Sequence, residues 1–209
     1  MYSKTISREE LEKLEIKAFD GKIILIEDTE RLLDIIDELG RCKILGFDTE
    51  TRPSFKKGRI NKVALLQLSC RKKTYLIRLN KTGMPVRLAN ILSNPSIIKV
   101  GVAIRDDIIA LNKLRIFKQA GFVDLQDMVK KYGIENFGLK NICGIILGFR
   151  ISKAQQLSNW EQEILDESQL RYAATDSWVP HEIYNRLIEN KKLIIDNRVE
   201  QAQRLKGVN

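Results

Sequence analysis

Short apolar runs broken by charged stretches set the rhythm of this chain. Residues 7–16 carry helical spacing, and Ser7 and Glu10 stand in capping-box register. Ile23–Ile26 reads as a brief strand. Asp28 or Thr29 then offers a cap for a helix running to Leu39 and ended by Gly40. Lys43–Asp48, Val63–Ser69, Thr74–Leu79 and Ile97–Ala103 have the length and β-branched content of strands. The first three follow one another without helical spacing between them, which predicts an antiparallel meander with a turn at Arg71–Lys73. Helical stretches at Val86–Leu92 and Asp106–Leu114 flank the fourth. A fifth strand, Phe122–Leu125, precedes helices near 125–132, 138–147 and 161–189. A meander followed by alternating strands and helices predicts an α/β fold with a sheet of mixed direction. With no repeat or long linker in 209 residues, a single domain spanning 1–209 is expected, and 151–159 reads as its mobile loop.

Three separated segments place carboxylates where apolar residues would be expected. In the strand KILGFDTE, alternation puts Asp48 and Glu50 on one face at the strand's end. Side-by-side carboxylates repel unless a cation lies between them, although a solvated pair at a strand end is also common. In VGVAIRDDIIAL a strand runs into a helix. Asp107 shares a stripe with Leu111 and Leu114, whereas Asp106 lines up with Lys113 and is expected to cap the helix near solvent. In LRYAATDSWVPHEIYNRL, the 3.6-residue period puts Tyr172, Asp176, Val179, Ile183 and Leu187 on one stripe. An aspartate on such a stripe is partly buried and needs a salt bridge, hydrogen-bond donors or a metal. If the four carboxylates converge, their all-oxygen set suits Mg²⁺ or Mn²⁺ rather than zinc. Two such ions, about 3.5–4 Å apart, are the usual clamp for phosphodiester hydrolysis.

Charge adds a direction. Thirty-six basic and 27 acidic residues give a net charge of +9, favouring polyanionic partners. Arg52, Lys56, Lys57, Arg59 and Lys62 crowd one loop directly after the Asp48/Glu50 pair. Phe55 lies among them, as ready to pack as to touch a strand. No run approaches the ~18 apolar residues of a membrane span, and the charged N-terminus does not read as a secretory signal. Three cysteines without a CxxC pair argue against a disulfide framework or a zinc site and point to the cytoplasm. His181, the sole histidine, is expected at the surface or in packing. Trp160 and Trp178 read as packing residues, with Trp160 also a candidate to stack a base.

Taken in order, FDTE, VGVAIRDDIIAL and YAATD resemble the DEDD superfamily of 3′-5′ exonucleases. The resemblance is nearest to the tyrosine-bearing (DEDDy) branch typified by RNase D and the Werner-syndrome helicase exonuclease domain. KVALLQLS, GLKNIC and LSNW resemble the same branch, over residues 40–190. The resemblance implies an RNase H-like mixed sheet and a two-metal 3′-5′ exonuclease releasing nucleoside 5′-monophosphates from DNA or RNA. Asp48, Glu50 and Asp176 would bind the nucleophile-side ion, with Tyr172 orienting water. Asp48 and Asp107, the latter through water, would hold the leaving-group ion. Family spacing independently selects Asp107 over Asp106. The basic loop would guide the 3′ end. Residues 1–40 fall outside the motifs and are expected to pad the domain edge, and no helicase segment or C-terminal nucleic-acid-binding domain is expected beyond the last helix. The competing readings are a non-catalytic nucleic-acid-binding module and, disfavoured by the tyrosine, an RNase H-like endonuclease.

Overall fold

The computed structural model describes the backbone of residues 2–54 and 61–206, and side chains as far as residue 191. Its elements are α1 (Arg8–Lys13), β1 (Lys22–Ile26), α2 (Thr29–Gly40), β2 (Ile44–Thr51), β3 (Val63–Cys70), β4 (Lys73–Arg78), α3 (Leu79–Thr82), α4 (Val86–Ser93), β5 (Ile98–Gly101), α5 (Arg105–Leu114), β6 (Phe122–Asp124), α6 (Leu125–Lys130), α7 (Leu139–Leu147) and α8 (Glu167–Lys206). One sheet runs β1-β4-β3-β2-β5-β6. The meander β2–β3–β4 is antiparallel, and β1, β5 and β6 join parallel to their neighbours. This is an α/β mixed sheet of the RNase H-like kind. Among the described residues, no helix is long and apolar enough to cross a membrane.

Strand β2 shows how the sheet separates its two faces. Leu45 and Phe47 point into a core shared with α2, α4 and α5. Gly46, Asp48 and Glu50 alternate to the other face, where α8 crosses. A second core joins α6, α7 and α8 through Val129, Ile142, Cys143, Val179 and Ile183. The crossing is close. A Cβ placed on Gly46 would lie 1.9 Å from the Ser177 carbonyl oxygen. Gly46 pairs in register with Ser69, and Ser69 with Thr74. Along this row the Ser69 hydroxyl is 2.7 Å from both the Thr74 and Ser177 hydroxyls, so the helix rests on a track of small polar side chains.

The chain before β2 closes the structure. Ser7 and Glu10 complete the expected capping box of α1, and Asp28 caps α2 through the Arg31 amide. Strand β1 extends the sheet beside β4, and the Phe19 amide donates to the Thr175 hydroxyl of α8 at 2.9 Å. Residues 1–40 therefore supply an edge strand and a tether to the last helix.

Four expectations need correction. The last helix starts at Glu167, not 161, because the Asp166 carboxylate caps it by accepting the Gln169 amide at 2.8 Å. Trp160, in the segment ahead of it, is fully buried with Leu65, Leu76 and Ala173, and so offers no face to a base. Asp106 does not cap α5. Residue 104 occupies the cap position, and Asp124 takes the Ala103 and Ile104 amides instead, leaving Asp106 exposed. Cys42 and Cys70 form a disulfide, with Cα atoms 6.4 Å apart and Cys143 left as a buried thiol. An odd cysteine count did not anticipate this pair, because the fold brings the segment ahead of β2 against the end of β3, 28 residues away in sequence.

The helix–strand contact at Gly46 yields a direct test. Gly46→Ala is expected to cost about 3 kcal/mol or more, since backbone on both elements must move. Gly40→Ala, with its nearest neighbour 3.7 Å away, should change stability by no more than ~1 kcal/mol. Urea unfolding of both variants checks the contrast.

Candidate active site

Parallel pairing of β2 with β5 brings their C-terminal ends to the same edge of the sheet. Asp48 and Glu50 lie at the end of β2. Beyond β5 the chain turns through Ala103, with φ +57°, into α5 and delivers Asp107 in its first turn. Helix α8 crosses the same edge and contributes Tyr172 and Asp176. Carboxylate oxygens of Asp48, Glu50 and Asp176 all lie within 4.8 Å of one another. Asp176 is 8% exposed, and Asp48 and Glu50 are half-buried.

Asp107 reaches the group from the opposite layer of the sheet. The Thr49 hydroxyl, on the reverse face of β2 from Asp48 and Glu50, donates to its carboxylate. Asp107 stands outside the tight three-carboxylate group but within its electrostatic field. Leu111, one turn on, is fully buried, as the helix stripe requires.

The electrostatics are those of a crowded acidic cluster. Burial first, then the charges of Asp176, Glu50 and Asp107, hold the Asp48 carboxyl far above its ordinary range. Burial, followed by Asp176 and Asp107, pushes Glu50 up to about 9. Asp176 is raised to about 7 by burial, eased by its hydrogen bond from Tyr172 and by the Lys153 ammonium. Burial raises Asp107 too, partly offset by Thr49. The Tyr172 hydroxyl is held protonated by burial and by Asp176, to which it donates. Only oxygen donors face one another here, a set that fits a hard divalent cation.

The cavity over these groups has a volume of about 310 Å³. Leu139, Lys140, Ser152, Lys153 and Gln156 complete its walls. Lys153 was not singled out from sequence, where 151–159 read only as a loop. A lysine just ahead of an acid-bearing helix was the available signal. Pro180 also lines the cavity. It has no N–H to offer the Asp176 carbonyl one turn earlier, which interrupts the α8 ladder beside the site.

The proposed nucleic-acid contacts fare unevenly. Phe55, Lys56, Lys57 and Arg59 lie outside the described residues. Arg52 is exposed and pairs with Glu161 at 3.5 Å, and Lys62 is exposed at the foot of β3. Buried Trp160 instead supports the site from behind, its ring 6.1 Å from that of Tyr172. Trp178 stacks on Phe149, and His181 is buried on α8.

Raised carboxyl pKa values make the metal-free protein pH-sensitive. An acid whose folded pKa exceeds its unfolded value of about 4 stabilises the fold below that value, and the contribution is lost as pH rises through the folded pKa. For Asp176 and Glu50 the window runs from about pH 4 to about 9. In chelator, thermal stability should fall across that range, and Glu50→Gln should flatten the fall. Melting curves at several pH values check both.

Residues 23–192 match the family model of the 3′-5′ exonuclease domain. The mouse bifunctional 3′-5′ exonuclease/ATP-dependent helicase WRN is 34% identical over 160 residues, covering 74% of this chain and 11% of that protein. A 3′-5′ exonuclease of Arabidopsis thaliana is 29% identical over 199 residues, covering 90% and 62%. The chain thus spans less than two thirds of the length of these curated relatives. Among solved structures, the Aedes aegypti Nibbler EXO domain superposes with a TM-score of 0.74 at 25% identity, covering 86% of this chain and 93% of that one. The order of the acidic motifs, the tyrosine one turn before the last aspartate and the mixed sheet agree with that match: the chain belongs to the DEDDy branch of the 3′-5′ exonuclease family.

Proposed function

We propose that this chain hydrolyses phosphodiester bonds one nucleotide at a time from the 3′ end of DNA or RNA, releasing nucleoside 5′-monophosphates. The convergence of Asp48, Glu50 and Asp176 within 4.8 Å carries the reading. Burial raises all three carboxyls and the Asp176 charge raises Asp48 and Glu50 further, and a divalent cation between them would relieve that repulsion. In this reading Asp48, Glu50 and Asp176 hold one Mg²⁺ or Mn²⁺, and Asp48 with Asp107 holds a second. When bound, such ions lower the pKa of water and polarise the scissile phosphate.

The protein's groups do the positioning. Asp176 accepts from Tyr172 and so fixes the phenol at the cavity wall, where its hydroxyl can orient the attacking water. Thr49 holds Asp107 back from the three clustered acids, which favours its acting through water. Lys153, in the cavity wall near Asp176, balances the negative phosphate brought to an acidic site. Arg52 and Lys62, with the basic residues between them, are proposed to guide the strand.

Digestion of matched 5′-labelled DNA and RNA oligonucleotides tests the reaction. Stepwise shortening from the 3′ end with Mg²⁺ or Mn²⁺, and no cleavage in EDTA, is the expected outcome. Internal cuts or undiminished activity in chelator would overturn it. Tyr172→Phe should bind metal normally, by calorimetry, yet lose about 10²–10⁴-fold in single-turnover rate. Unaltered kinetics would leave Tyr172 a packing residue.

A further inference from the structure

A second cavity, of about 770 Å³, opens at the far end of the β2–α8 seam. Its lining comes from three separate segments. Arg41 and Lys43 stand on the connection into β2, and Arg71, Lys72 and Lys73 on the turn between β3 and β4. His181 and Asn185 face it from α8, and Ile44, Tyr75 and the Cys42–Cys70 disulfide complete the lining. Five cationic side chains meet one carboxylate, Glu38, which pairs with Lys73 and is approached by the Tyr75 hydroxyl. Among the described residues, Arg41, Lys43, Arg71 and Lys72 have no ion-pair partner.

Concave, single-sign charge of this kind concentrates anions. The volume suits a small organic ligand rather than a bare ion, and apolar side chains are present to meet a ring. The His181 ring and Asn185 amide contact each other, with Glu182 against the ring nitrogen, so this wall is polar but not strongly charged. On α8 the two cavities are lined by different residues: Tyr172, Asp176 and Pro180 for the carboxylate cavity, His181 and Asn185 for this one.

We propose that this second cavity is a phosphate-binding site for a nucleotide unit, separate from the carboxylate cavity and independent of metal. The phosphate meets the cations of the β3–β4 turn and the approach to β2, while the base lies against the partly exposed Ile44. The nucleotide unit is either part of a nucleic-acid strand or a free nucleoside monophosphate, two sources with the same chemistry.

Binding measured in EDTA removes any metal-bridged phosphate contact at the acidic site, and charge reversal at Arg71 and Lys72 separates this cavity from the strand guide at residues 52–62. The probes are a fluorescent 12-nucleotide single strand, adenosine 5′-monophosphate and adenosine. Wild-type protein should bind the strand, the monophosphate or both, and adenosine far more weakly. Arg71→Glu with Lys72→Glu should lower the affinity of whichever probe binds by about tenfold or more. Arg71→Lys with Lys72→Arg should retain it, which separates charge from any loss of folding. Loss of strand binding alone identifies a strand site, and loss of monophosphate binding identifies a nucleotide site. No binding to wild type in EDTA, equal binding of adenosine, or unchanged affinity in the charge-reversed protein would overturn the proposal.

Discussion

The arrangement of this molecule depends on one close approach, that of α8 to β2 at Gly46. With no side chain there, the Ser177 carbonyl sits where a Cβ would project, and the helix settles onto the Gly46–Ser69–Thr74 row. Asp176 precedes Ser177 and Asp48 lies two residues beyond Gly46, so this contact sets the spacing of the carboxylates. The other end of the same seam forms the wall of the basic cavity. Packing that elsewhere would serve only stability here sets the geometry of both cavities.

That geometry works against electrostatics. The strand alternation that sends Asp48 and Glu50 toward α8 puts two charges on the face where a third is already buried. Neighbouring groups temper the repulsion without abolishing it. Tyr172 donates to Asp176, Lys153 lends a nearby positive charge, and Thr49 steadies Asp107. Each leaves the acids facing one another, in the arrangement a divalent cation would use. Fully paired carboxylates would make a more comfortable fold with nothing left to bind.

Much of this was legible in the sequence where local periodicity and chemistry agree. The meander followed from three short apolar runs, and Asp48, Glu50 and Asp176 from acids at positions that strand and helix periods turn inward. The stripe shared by Asp107 and Leu111 separated Asp107 from Asp106 without reference to any relative. Features set by long-range contact were less visible. Asp106 caps nothing, and the carboxylate that meets the chain entering α5 is Asp124, which reaches the Ala103 and Ile104 amides from β6. Trp160 looked available in a polar loop, but that loop folds under α8, where the indole fills the core. Lys153 sat in a segment read only as a loop, and the Cys42–Cys70 pair depends on the segment ahead of β2 meeting the end of β3.

The tether from Phe19 to Thr175 has a bearing on how the molecule comes into being. It joins residues 156 apart in sequence, and the acidic centre itself needs residues 48, 107 and 176 in place together. Closing such loops carries an entropic cost that contacts formed early in folding do not repay, so assembly of this kind belongs to the late, slow part of the process. The acidic centre therefore waits for the fold to close.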